Sequence, residues 1–183
     1  MSNEIQYVRS RLNEKAKLQQ AHKQLLKLLI LSSGLLFATL LGIGLVLVMP
    51  EIEIPKIFYT GTVIILLSSV SLEATKRAIA GDELQRAVYL LVITLGLGVA
   101  FGVMQLIGWS YLLEADTLGR NILLPFSAIH FLHLVVGLIF LLVVFFRLND
   151  FQIHSRAMLF ATNVIYFWHF LGLIWLVFIG VIA

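Results

Sequence analysis

The chain contains no cysteine. That excludes disulfides, thiolate metal sites and covalently attached c-type haem. It is also poor in charge: Asp, Glu, Lys and Arg make up 13% of its 183 residues, where soluble domains run near about a quarter. Inside the long apolar runs Glu73 is the only acidic residue. No glycine-rich stretch has the form of a phosphate loop, and no Ser-His-Asp set or carboxylate pair is present, so the usual catalytic constellations are missing. What the chain has instead is apolar length, with 60% hydrophobic residues and a mean hydropathy of +0.99.

Four uncharged runs, residues 28–48, 87–113, 121–146 and 157–183, meet or exceed the roughly 20 apolar residues that a helix needs to cross a bilayer. A fifth, near 57–80, stays uncharged only to Leu72 and then meets Glu73, Lys76 and Arg77. Those charges stand three and four residues apart, so the helix can continue into the headgroups with its own ion pairs. Gly81 offers a stop. No segment alternates apolar and polar residues as a membrane barrel requires, and backbone groups in lipid must bond internally, so the spans are helices. The expected fold is an all-α integral membrane protein with five transmembrane helices.

Residues 1–23 form the expected first unit. Ile5, Val8 and Leu12 recur at helical spacing among charged residues, as in an amphipathic helix lying on a membrane or a partner. Residues 24–183 form the membrane domain. A signal peptide does not fit, because a long polar stretch precedes the first apolar run and that run is too long. Charge fixes the expected orientation. With the N-terminus in the cytoplasm, the inner segments hold eleven of the 13 basic residues, and the outer loops keep only Lys56 and Arg120. The C-terminus then faces outward. The sequence pI of about 9.3 reflects this topology rather than nucleic-acid binding, because the basic residues are dispersed and lack a recognition motif.

Small residues recur every four positions at Gly34, Ala38 and Gly42, and again at Thr94, Gly98 and Gly102. Such stripes let membrane helices approach closely. His130, His133 and Gly137 share one face of the fourth run, and His169 lies in the fifth. His133 and His169 fall at similar depth near the midplane. Two readings follow: a b-type haem held between the two histidines, or histidines that hydrogen-bond across helices. Phe131, Leu132, Leu134 and Phe140 leave little slot for a haem. With no acidic residue expected at its depth, His169 should be neutral and hydrogen-bonded, on one face with Tyr166 and Thr162. A transmembrane proton relay lacks its series of titratable groups.

"LLSSVSLEATKRAIAGD", "LVITLGLGVAFGVMQLIGW", "IHFLHLVVG" and "YFWHFLGLIWLVF" occur in that order. Together they resemble subunit III of haem-copper oxidases over roughly residues 25–183. The pattern is carried by Ser68, Ser69, Ala74, Gly81, Asp82, Thr94, Gly98, Phe101, Gln105, Trp109, His130, His133, Gly137, Trp168, His169, Phe170 and Trp175. The resemblance is to the short, five-helix bacterial form. Two departures stand out: Ser33 occupies the place of a family glutamate, and Thr162 that of a family acidic residue.

The resemblance implies an accessory, non-redox subunit of a cytochrome c oxidase in the bacterial inner membrane, in the aerobic respiratory chain. The equivalent subunit of a quinol oxidase or a nitric oxide reductase shares the fold, and a b-haem quinone-reactive protein is the rival of a different class. Haem and copper are expected only in partner subunits, with no catalytic or metal-ligating residue in this chain. Implied partners are subunit I directly, subunit II and smaller subunits, and possible membership of a larger respiratory supercomplex. Phospholipid is implied in a V-shaped cleft between two helices and three, with support of proton uptake. Trp109, Gln105, His130, His133, Trp168 and His169 are then helix-packing or lipid-cleft residues, and Gly98, Gly102 and Gly137 mark helix contacts.

Overall fold

The computed structural model describes residues 2–47, 54–114, 118–153 and 158–182. Five helices account for nearly all of them: α1 (Ser2–Leu47), α2 (Lys56–Ala80), α3 (Leu84–Glu114), α4 (Leu118–Asn149) and α5 (Leu159–Ile182). Four are long and apolar enough to cross a membrane, with α4 contributing Leu123–Asn149. The 25 residues of α2, at about 1.5 Å each, exceed the roughly 30 Å hydrocarbon core. In α1 the apolar part with described side chains is Lys27–Ile43.

Helix α1 is a single element of 46 residues, so it runs through the expected boundary at 23/24 without a break. The side chains of Ile5, Val8 and Leu12, on which the amphipathic reading rests, lie outside the described residues. So do Arg156 and the side chains of Arg9, Lys15, Lys23 and Arg120, among the basic residues used for orientation.

Helices α2, α3, α4 and α5 close into a four-membered bundle, each packing on the next and α5 returning to α2. Helix α1 lies outside this ring against α4 and α5, and among the described residues it touches neither α2 nor α3. The first two helices therefore do not pair with each other, contrary to a grouping of the first two against the last three. Small-residue spacing placed the docking face of α1 only in part: a Cβ on Gly34 would lie 3.7 Å from the Phe170 ring of α5, in ordinary contact. Ser33 and Phe37 are the buried positions, whereas Ala38 is exposed and nothing lies within 4 Å of a Cβ placed on Gly42. The contact stripe follows Ser33, Gly34 and Phe37 and leaves Ala38 and Gly42 outside it.

Two helix ends share one device. After α2, Asp82 N–H donates to Ile79 O at 3.1 Å and Glu83 N–H to Ala78 O at 2.9 Å. After α4, Phe151 N–H donates to Leu148 O at 3.1 Å and Gln152 N–H to Arg147 O at 2.9 Å. This is the Schellman pattern, which capures the last orphan carbonyls and needs a left-handed residue. That residue is Asp82 in one case and Phe151 in the other, each at φ 56°. Gly81, the expected stop, is at the helix end, but its φ of −86° is one that any residue adopts. The charges before it pair as their spacing anticipates, Glu73 with Lys76 at 3.5 Å and with Arg77 at 3.8 Å.

Candidate functional site

The interior is organised around tryptophans, and every indole N–H meets a hydroxyl on another helix. Trp168 on α5 donates to Ser68 Oγ on α2 at 3.1 Å. Trp175 on α5 donates to Thr62 Oγ1 on α2 at 3.0 Å. Trp109 on α3 donates to Ser127 Oγ on α4 at 2.8 Å. Each hydroxyl passes its own proton to a carbonyl of its own helix: Ser68 to Ile65, Thr62 to Phe58 and Ser127 to Leu124. No donor of these pairs is left to the hydrocarbon, where an unmade bond costs free energy.

Trp168 occupies a close approach of three helices. A Cβ on Gly98 of α3 would lie 2.7 Å from its Cη2 and 2.9 Å from Leu138 Cδ2. A Cβ on Gly137 of α4 would lie 3.2 Å from its Cε3. The indole thus fills a slot with glycine on both walls and hydrogen-bonds a third helix. Gly102 is different, because its Cβ would sit 3.5 Å from Leu134 and Phe131 in ordinary contact. Sequence reasoning missed the equivalent slot at Gly108, where a Cβ would come within 2.6 Å of Phe58.

The three histidines do not converge. His133 Nδ1 is 2.8 Å from Ile129 O, and its Nε2 is 3.2 Å from Ser33 Oγ on α1. A carbonyl only accepts, so Nδ1 carries the proton and Nε2 accepts from Ser33. His169 turns the other way, to α2, where its Nε2 is 3.8 Å from Glu73 Oε2. The expectation that no acidic residue reaches His169 is thereby corrected, since Glu73 of α2 comes within ion-pair distance of the imidazole. Lys76 Nζ covers the Tyr166 ring at 5.4 Å. A haem between His133 and His169 does not fit, because the two rings face different helices and each has a protein neighbour. Among the described residues no group of three or more His, Asp and Glu side chains could hold a metal.

His130 is fully buried. Its ring lies among Phe37, Phe101 and Trp175, at centroid distances of 6.1, 6.0 and 5.2 Å. Neither ring nitrogen has a hydrogen-bond partner, and neither does the Oε1 of buried Gln105.

The family described as cytochrome c oxidase subunit III matches residues 21–182. This chain belongs to that family. It is 30% identical over 128 residues to cytochrome c oxidase subunit 3 of Rhipicephalus sanguineus, covering 68% of this chain and 48% of the relative. The corresponding protein of Cyanidium caldarium is 26% identical over 121 residues, 64% of this chain and 44% of the relative. A bacterial relative, the probable cytochrome c oxidase subunit 3 of Rickettsia prowazekii (strain Madrid E), is 29% identical over 123 residues, again 64% and 44%. The matched stretch therefore spans under half the length of these relatives. Within this subunit III-type chain, Gly98, Gly137, Trp168, Ser68 and Gln105 all belong to the buried interior, and Trp109 and His169 are half-buried beside it.

Proposed function

We propose that the chain works as an accessory, non-redox subunit of a haem-copper terminal oxidase. The observation that supports this most is the use made of its polar and aromatic residues. The tryptophans are joined to hydroxyls on neighbouring helices, and His133 and His169 to partners on separate helices. This is packing chemistry, and among the described residues no side chains converge on a reacting centre. The apolar residues left exposed on the outer faces, such as Leu66, Leu67 and Val70 of α2 and Val99, Val103 and Leu106 of α3, suit lipid and a catalytic subunit I.

In this reading α1 is the fifth membrane helix, the N-terminus is cytoplasmic and the C-terminus is outside. The protein stabilises subunit I, holds phospholipid and supports proton uptake, while haem and copper stay in partner subunits. The test is isolation of the tagged chain from its native membrane in mild detergent. Co-isolation with haem-copper subunits is the expected result, and the chain separated from them should show no haem absorption. Recovery without any oxidase subunit, or a haem band in the separated chain, would overturn the proposal.

A further inference from the structure

A cavity of about 550 Å³ opens where α2 turns into α3, a size within the roughly 300–1,000 Å³ of small-molecule sites. Its wall carries two acids and two bases, Glu73 and Arg77 from α2 and Glu83 and Arg86 from the turn and the start of α3. Val70 and Ala74 continue the wall along α2, away from the turn and toward the apolar middle of the helix. The site therefore grades from charge to hydrocarbon along the direction of the membrane normal. It stands apart from α1 and from the tryptophan-centred interior.

We propose that this cavity binds one phospholipid whose headgroup carries both a phosphate and a primary ammonium. The lining has no net formal charge, so it favours a zwitterion over an anionic head. Arg77 and Arg86 offer planar donors to the phosphate, the geometry for which guanidinium is suited. Glu73 and Glu83 accept from the ammonium. A trimethylated ammonium has no N–H to donate and loses that contact. The arginines are already paired, Arg86 with Glu83 at 2.9 Å and Arg77 with Glu73 at 3.8 Å. These are exposed pairs, which are weak, so each arginine can exchange or share its partner with a phosphate at little cost. The acyl chains lie along Val70 and onward over the exposed Leu66 and Leu67. The proposal rests on the membrane reading of α2 and α3, and on no property of the oxidase partners.

Native mass spectrometry of the chain in detergent tests it, with phosphatidylethanolamine, phosphatidylcholine, phosphatidylglycerol and inorganic phosphate added in turn. One phosphatidylethanolamine should be retained in preference to the other lipids. Arg77→Gln with Arg86→Gln should weaken retention by about tenfold or more, the loss of charge-assisted contacts to phosphate. Glu83→Gln changes one exposed side chain and should weaken phosphatidylethanolamine while strengthening phosphatidylglycerol. Equal retention of the three lipids, or retention unaffected by the double arginine variant, would overturn the site. Competition by inorganic phosphate as strong as that of the lipid would overturn the lipid and leave a free anion as occupant. Copurification with oxidase subunits would fail independently of any of these outcomes.

Discussion

At the scale of single residues, the two glycines Gly98 and Gly102 make opposite predictions although they look alike in sequence. A methyl group at Gly98 meets a rigid indole carbon at 2.7 Å, while at Gly102 it meets Leu134 and Phe131 at 3.5 Å. Gly98→Ala should therefore destabilise the bundle by about 1–3 kcal/mol, the usual range for overpacking. Gly102→Ala should be close to neutral. Thermal unfolding in one detergent distinguishes them, and equal midpoints would mean that Trp168 can move aside. His130 gives a second test. Both of its nitrogens lack a partner inside a cage of aromatic rings, so the polar ring gains nothing there from hydrogen bonding. His130→Phe should leave stability unchanged or raise it by up to about 1 kcal/mol. A marked loss would show that the imidazole is bonded inside the bundle, for example through a buried water, and is not an idle polar ring.

At the scale of elements, the helices themselves were legible because lipid imposes a simple demand. An uncharged run of sufficient length has to be a helix, and four runs met that condition without reference to any neighbour. Helix ends were less legible. Gly81 looked like the left-handed residue, yet the φ of 56° falls on Asp82, and on Phe151 after α4. Asp tolerates that region, whereas a bulky residue rarely does. Phe151 is 74% exposed, so little packing is lost if its ring is removed. Phe151→Gly should raise stability by about 1 kcal/mol through relief of the left-handed penalty. A fall in the unfolding midpoint would instead show that the exposed ring anchors this end of α4 in the membrane interface or on a partner.

Pairing between elements was the least legible. Trp168 meets Ser68, 100 positions away, and Trp175 meets Thr62, 113 positions away. Those partners follow from the antiparallel register of α2 and α5, which no local spacing encodes. The same register brings Glu73 to His169, a contact that judging depth from span limits alone did not reveal. Gly98 was found because small-residue spacing is local and Gly137 through the family pattern; that Trp168 joins the two was not legible.

At the scale of the whole molecule, the ring of α2 to α5 with α1 outside constrains how the chain can sit in a membrane. Successive membrane helices must alternate in direction, so the α2–α3 turn and the end of α3 lie on opposite sides. The proposed sides rest on the basic residues. Lys76, Arg77 and Arg86 flank the α2–α3 turn, while the end of α3 carries Glu114, and lysine and arginine are retained on the cytoplasmic face. Single cysteines make this measurable, since the natural chain has none. Gln85→Cys and Glu114→Cys both replace exposed side chains and should leave the fold intact. A membrane-impermeant thiol reagent added to intact cells should label position 114 and spare position 85, with the reverse result in inverted vesicles. Labelling of both from one side would mean that α3 does not cross the bilayer. Labelling of position 85 alone from outside would invert the topology, and with it the leaflet in which the α2–α3 cavity lies.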